Sequence, residues 1–254
     1  MQENQLSPSV QMQLLRPRQL EAALRAFPVV YVPIGLIEWH GQHLPLGTDA
    51  LKAHGILVKC AEQFGGVVYP PLYFPHALYD AGSRVLRADE PDWKVGMMTA
   101  LFERIKLMGA RVIIGVSGHN IPQQLALMTA ALDVVTADGS VAGAALYEMS
   151  LSLGDESASD HAAKWETSNM MFFHPEQVDL SQLGDGPLAP DMAPPDGIGG
   201  LDPRVHALYE VGRRNVELTS ASIGQKAQEL LASLPEGQRE LNLPGIVPPH
   251  WWMI

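Results

Sequence analysis

Short apolar runs alternate with segments of helical period along most of the chain. RPRQLEAALRAF (16–27) places apolar positions at helical spacing, and Pro17 suits a first turn. PVVYVPIG (28–35) is short, rich in β-branched residues and bounded by Pro and Gly, which predicts a buried strand. Helical spacing returns over 49–66, with Asp49 placed to cap the start and Gly65 and Gly66 to end it. VVYPPLYF (67–74) predicts a second strand, and PDWKVGMMTALFERIKLMG (91–109) a helix that opens on Pro and closes on Gly. The cycle repeats with a strand in 110–120, a helix over 121–139, a strand in 140–152 and a helix over 161–175. A long closing helix is expected over 202–234, with Gly212 and Gly224 as places for a kink. Two stretches break the pattern. Residues 75–89 are polar and irregular, as in a loop over a site, and 184–203 form an excursion dense in Pro, Gly and Asp.

Strands alternating with helices predict an α/β protein: a three-layer α/β/α sandwich with a mostly parallel sheet. In such sheets ligands bind beyond the carboxyl ends of the strands. A chain of 254 residues suits one large domain of this kind or two small ones, and 46% hydrophobic residues suffice for a full core.

Charge narrows the partners. A formal net charge of −11 argues against nucleic acid and anionic membranes, both of which need basic patches. The single cysteine, Cys60, excludes an internal disulfide and fits a reducing compartment. Its apolar surroundings read as packing rather than nucleophile activation. The N-terminus lacks a basic region followed by an apolar core, and no apolar run approaches the roughly 20 residues that span a bilayer. A soluble cytoplasmic protein is expected.

Polar clusters follow two of the strand patterns. IEWHGQHLPLGTD (37–49) holds Glu38, His40, His43 and Asp49, and SGHN (117–120) holds His119. Carboxylates and imidazoles are ligands for Zn, Mn, Fe(II) and Co. Glu38 and His40 are two apart, so extended backbone would put both on one face. Asp49 follows a turn containing Pro45 and Gly47, and its two oxygens can bridge two ions. Ions held about 3.5–4 Å apart share a water and lower its pKa toward neutrality, giving a bridging hydroxide. The alternative is a set of hydrogen-bonded structural residues. Gly118 lets the backbone come close beside His119. In HAAKWETS (161–168), His161 and Glu166 lie about 140° apart on a regular helix, which puts His161 at the entrance and Glu166 inside. Glu166 shares a stripe with Met170 and Phe173, where a carboxylate is costly without a cation. A solvated glutamate on an amphipathic helix is the other reading.

GLIEWHGQHLPLGTDA, SGHN and HAAKWETS, in that order and over most of the chain, together resemble the creatininase family of metal-dependent hydrolases. The first segment is close to the family's E-x-H-G-x-H-L-P-x-x-T-D pattern. The resemblance implies one creatininase-like domain over 1–254, a parallel sheet in an α/β/α sandwich, and assembly as a homo-oligomer, often a hexamer. It also implies two divalent metal ions, with Zn, Mn and Fe all permitted, and hydrolysis of a small-molecule substrate. By position, Glu38 and His40 match one ligand for each metal, and Asp49 matches the bridging ligand. His119 matches the histidine of the second segment and Glu166 the acid of the third. His161 matches the residue that passes a proton to the leaving group, and His43 one that orients a ligand from behind. Creatininase itself has an acid two residues after the second-segment histidine. Ile121 stands there in this chain, so either Glu166 serves instead or the second metal is weakly held.

The regions that shape the substrate depart from the family. Its N-G-H-G-G-N segment is SGHNIPQ here, Ala163 and Lys164 replace a Gly and an acid, and DAGSRVLRAD (80–89) stands where F-P-G-T-x-S is common. The loop offers His76, Tyr79, Asp80, Ser83, Arg84 and Arg87, a mixture suited to a polyol or a carboxylate, or simply to solvent. The C-terminal PPHWWMI reads as a subunit contact or core lid before a ligand platform. The expected activity is opening of a small cyclic substrate, other than creatinine, at an amide-type C–N bond. Hydrolytic C–C opening of a keto-inositol is the alternative, and a non-catalytic metal- or sugar-binding protein is the alternative from another class.

Overall fold

The structure, a computed structural model, describes residues 6–73, 93–148 and 160–241. The elements run α1 (Pro17–Ala26), β1 (Val29–Gly35), α2 (Thr48–Phe64), β2 (Val67–Val68), β3 (Leu72–Tyr73), α3 (Trp93–Leu107), β4 (Val112–Ser117), α4 (Pro122–Thr136), β5 (Ala142–Tyr147), α5 (Lys164–Phe173), α6 (Pro203–His206) and α7 (Tyr209–Ser233). The strands form one parallel sheet in the order β2-β1-β4-β5, with β3 also paired to β1. In-register pairing runs from Val29 with Val112 to Ile34 with Ser117, so β1 and β4 end side by side.

The continuous apolar runs of β1 and β4 reflect burial on both faces. Val30, Val32, Ile34 and Ile113 pack on one side against Leu24 of α1, Phe102 and Ile105 of α3 and Met128 and Leu132 of α4. Val29, Tyr31, Val112 and Ile114 pack on the other against Ile56 and Leu57 of α2, Phe172 and Phe173 of α5 and Ile223 of α7. This is the three-layer sandwich expected from the alternation. Cys60 lies fully buried in the second layer, and burial pushes its thiol up to about 12, so it behaves as a packed residue. Among the described residues no helix is long and apolar enough to cross a membrane.

Three local expectations are corrected. The strand expected over 67–74 is two short strands, because Pro70 and Pro71 cannot donate to a ladder. Gly47, not Asp49, caps α2, and Asp49 lies inside the first turn. The closing helix breaks at Ala207–Leu208 and runs unbroken through Gly212 and Gly224. Those glycines serve close packing instead. A Cβ at Gly212 would fall 1.9 Å from the Ser168 carbonyl oxygen on α5, and one at Gly224 would fall 2.2 Å from the Phe64 ring. The loop residues His76, Tyr79, Arg84 and Arg87 and the C-terminal PPHWWMI lie outside the described residues.

Two glycine substitutions separate helix propensity from packing. A Cβ on Gly96 of α3 would meet nothing within 4 Å. Gly96→Ala is expected to stabilise the fold by about 1 kcal/mol. Gly212→Ala gains the same propensity yet is expected to destabilise by about 2–3 kcal/mol through the α5 backbone. Urea unfolding checks both, and a stabilising Gly212→Ala would contradict the packing.

Candidate metal centre

The carboxyl ends of β1 and β4 meet the start of α2 at very short range. A Cβ on Gly35 would sit 2.2 Å from the Ala50 nitrogen, and one on Gly118 would sit 2.1 Å from the Asp49 carbonyl oxygen. Only glycine at both strand ends lets the first turn of α2 rest on the sheet edge. The chain between β1 and α2 is pinned by the Glu38 N–H donating to the Leu46 carbonyl at 3.0 Å, and by the Thr48 hydroxyl donating to the Pro45 carbonyl at 2.7 Å. Asp49 is thereby carried to the space between the two strand ends.

Around Asp49 the five candidate ligands converge. His40 Nε2 lies 3.1 Å from Asp49 Oδ1, 3.4 Å from Glu166 Oε2 and 3.6 Å from Glu38 Oε1. His119 Nδ1 lies 3.0 Å from Glu38 Oε1 and 3.4 Å from Asp49 Oδ2. The two Asp49 oxygens therefore face different imidazoles. Two groups of donor atoms result, Glu38–Asp49–His119 and His40–Asp49–Glu166, each within 4.8 Å, and Asp49 belongs to both. A third group of the same compactness joins Glu38, His40 and His161.

The donor set fits a divalent cation. Glu38 Oε1 and Asp49 Oδ2 are buried and make no well-formed hydrogen bond; the group that faces them is the His119 imidazole, with Nδ1 at 3.0 and 3.4 Å. Each such acceptor costs about 1–3 kcal/mol unless something positive meets it. His40 Nδ1 faces its own segment's Glu38 carbonyl at 3.3 Å, which leaves Nε2 turned into the cluster, the arrangement usual for a metal-bound imidazole. Burial alone would lower both imidazole pKa values. For His40 the charges of Asp49, Glu166 and Glu38 outweigh it and raise the value to about 9. For His119 the contacts with Asp49 and Glu38 raise it to about 10. Burial would raise Asp49, but His40, His119 and Lys52 hold it well below the usual carboxylate range.

His161 stands at the entrance of α5, as its spacing from Glu166 required. An antiparallel bridge to Gly199 fixes its backbone, with N–H···O distances of 2.9 and 2.8 Å, so the 184–203 excursion reaches the cluster here. Its ring stacks on His40 at 4.7 Å between centroids. Nε2 lies 2.9 Å from the Trp39 carbonyl and must donate to it, which leaves Nδ1 free, 3.9 Å from Glu38 Oε1. His43 makes no hydrogen bond to the five ligands. Its Nε2 lies 2.9 Å from the Thr167 hydroxyl, so it acts on the start of α5 beside Glu166. Burial and then the His40 charge lower it to about 4, leaving it neutral.

Two buried groups and one half-buried one, Asp160, escaped the sequence reading. Lys52 is fully buried, with Nζ 2.6 Å from Glu148 Oε1, 2.7 Å from Glu166 Oε1 and 2.6 Å from the Gly118 carbonyl. Glu148 follows β5 as Glu38 follows β1, and that repeated pattern was the available signal. Burial pushes its carboxyl up from the usual range, and the Lys52 ammonium 2.6 Å away opposes that shift and pairs with the carboxylate. Asp160 accepts from the Trp165 and Glu166 N–H groups at 2.6 and 3.2 Å and so holds the first turn of α5.

A family model described as creatinine amidohydrolase, creatininase, matches residues 13–233. The chain belongs to the creatininase family. It is 30% identical over 210 residues to the mycofactocin precursor peptide peptidase of Mycolicibacterium smegmatis, covering 77% of this chain and 76% of that one. It is 22% identical over 222 residues to the creatinine amidohydrolase of Pseudomonas putida, covering 78% and 84%. The crystal structure of a creatinine amidohydrolase superposes with a TM-score of 0.71 at 20% identity, over 88% of this chain and 99% of that one, which establishes the shared fold. Membership of the creatininase family accords with the metal-capable cluster at the sheet edge, and these relatives are hydrolases by name.

Metal uptake should release protons. His40 and His119 have folded-state pKa values above the ordinary 6.5. Without metal, their contribution to stability is complete below about pH 6.5 and disappears as pH rises through about 9 and 10. Metal-free protein is therefore expected to melt at progressively lower temperature from pH 7 to 10, and bound metal to remove the trend. At pH 7.5, calorimetry in buffers of different ionisation enthalpy should read close to two protons released per chain. Release of none would contradict the assignment of these imidazoles.

Proposed function

We propose that the protein is a metal-dependent hydrolase with a two-cation centre that opens a small cyclic substrate at an amide-type C–N bond. The observation that carries the reading is Asp49, whose two oxygens face two separate imidazoles within two carboxylate-containing groups. Glu38, Asp49 and His119 would hold one cation, and His40, Asp49 and Glu166 the other. Glu166 then supplies the carboxylate of the second group, and no acid at Ile121 adds to the first. Solved creatininases of the same fold include a manganese form and a mutant of Zn-Zn type, at TM-scores of 0.69 and 0.68. The oxygen and nitrogen donors suit either metal. A bound cation pair supplies Lewis acidity and a water acidic enough to attack a carbonyl near neutral pH.

The chain's own residues do the rest. The His40 ring, packed under His161, sets the plane in which the second imidazole lies. The Trp39 carbonyl fixes the His161 tautomer, so Nδ1 is the atom that takes up a proton and delivers it to the departing nitrogen. His161 is partly exposed while His40 is fully buried, which places the proton carrier at the mouth and the ligand behind it. Amide-type bonds are favoured over C–C bonds because both named relatives, an amidohydrolase and a peptidase, cleave C–N bonds by name.

His161→Ala tests the catalytic reading against a protein that only binds metal or sugar. The variant is expected to keep its metal content by elemental analysis and to lose about 10²–10⁴ in kcat on the best substrate from a panel of cyclic amides and keto-inositols. Loss of one cation with the side chain would make His161 a ligand. Turnover of keto-inositols alone would replace the C–N assignment with C–C hydrolysis, and unchanged ligand binding with no turnover by the wild type would end the enzyme reading.

A further inference from the structure

Lys52 is the one fully buried ammonium among the described residues, and nothing in the proposed chemistry uses it. An ammonium has three N–H donors. All three are matched: Glu148 Oε1 at 2.6 Å, Glu166 Oε1 at 2.7 Å and the Gly118 carbonyl at 2.6 Å. These acceptors come from three different elements: the residue after β5, the first turn of α5 and the residue after β4. The Gly118 carbonyl directly precedes His119. Lys52 thus ties the segments that bring Glu166 and His119 to Asp49, from its own place one turn along α2 from Asp49.

The bond to Glu166 is specific in its geometry. Glu166 Oε1 faces Lys52, and Glu166 Oε2 accepts from the Ala162 N–H at 2.6 Å while lying 3.4 Å from His40 Nε2. The ammonium on Oε1 and the Ala162 N–H on Oε2 together oppose rotation of the carboxylate, so Oε2 stays turned to His40. Glu166 stands on a helix far along the chain from α2, and its carboxylate must be aimed across the gap between them. We propose that Lys52 is a positioning residue of the metal centre, which aims Glu166 so that the His40–Asp49–Glu166 group can take the second cation, with Glu148 as the anion that balances the lysine. The proposal rests on the two-cation reading above.

Charge and geometry pull in opposite directions here. Removing Lys52 alone would leave the cluster more negative and draw cations more strongly, while freeing Glu166 would loosen the site. Removing Lys52 and Glu148 together cancels the charge change and leaves the geometric effect. Lys52→Met/Glu148→Gln is therefore titrated with Mn²⁺ and Zn²⁺ against a competing chelator, beside the wild type and Glu148→Gln, with folding followed by circular dichroism. The expected result is a second binding step weakened 10–100-fold in the double variant, with the first step within about threefold of wild type. Glu148→Gln keeps the Lys52–Glu166 bond but leaves the lysine charge unbalanced, so it should weaken both steps alike and by less than the double variant weakens the second.

Equal affinities for both steps in the double variant and the wild type would overturn the role of Lys52, as would equal weakening of both steps in the folded double variant. A Glu148→Gln loss as large as that of the double variant would assign the effect to Glu148 and overturn it too. A wild type that takes up fewer than two cations would remove the two-cation reading and the inference with it, an outcome distinct from the others. If the Met/Gln double variant does not fold, Lys52→Gln/Glu148→Gln leaves at position 52 an amide too short and with too few donors to serve all three acceptors. The same selective loss of the second step is expected from it, and its absence would overturn the proposal.

Discussion

Glu38, Asp49, Glu148 and Glu166 bring four carboxylates to the carboxyl edge of the sheet, each almost shielded from water, and Lys52 supplies a single positive charge against them. Buried carboxylates without compensating cations cost several kcal/mol each. In the protein without metal the deficit is met by protons: both imidazoles of the cluster are drawn to pKa values far above that of a free histidine. Divalent cations at the same place remove the need for those protons. Demand for positive charge thus links the fold, the protonation of the cluster and its capacity for metal.

That electrostatic demand depends on a steric one. Asp49 reaches the strand ends because Gly35 and Gly118 carry no side chains. The parallel register of β1 and β4 brings the segments holding Glu38 and His119 to the same level, and α5 delivers Glu166 from the layer beneath. The close contact of α5 with α7 at Gly212 fixes how deeply that helix sits. A site assembled from four separate segments stays in place because the core clamps each of them.

Much of this was legible in the sequence, for identifiable reasons. Apolar runs of strand length between helical segments report two-sided burial directly, so the layer order followed. Glu166 could be read as a ligand or as a solvated acid, and the helix buries it beside His40 and Lys52; Gly118 lets the chain approach Asp49, and His161 stands at the entrance of α5. Lys52 and Glu148 were hidden because a lysine within a helical pattern reads as a solvated face, and its burial depends on partners far along the chain that no local pattern reveals. The break at Ala207–Leu208 was missed because helical spacing continues across it. Glycine was the wrong guide to a kink there, since Gly212 and Gly224 are required by neighbouring helices and not by the bend.

The central claim is that two cations share Asp49. Crystals grown with Mn²⁺ and measured at a wavelength where manganese scatters anomalously test it without assuming a substrate. The account predicts two peaks about 3.5–4 Å apart, one on each side of the Asp49 carboxylate, the first beside Glu38 and His119 and the second beside His40 and Glu166. A single peak, or manganese bound away from these residues, would contradict it.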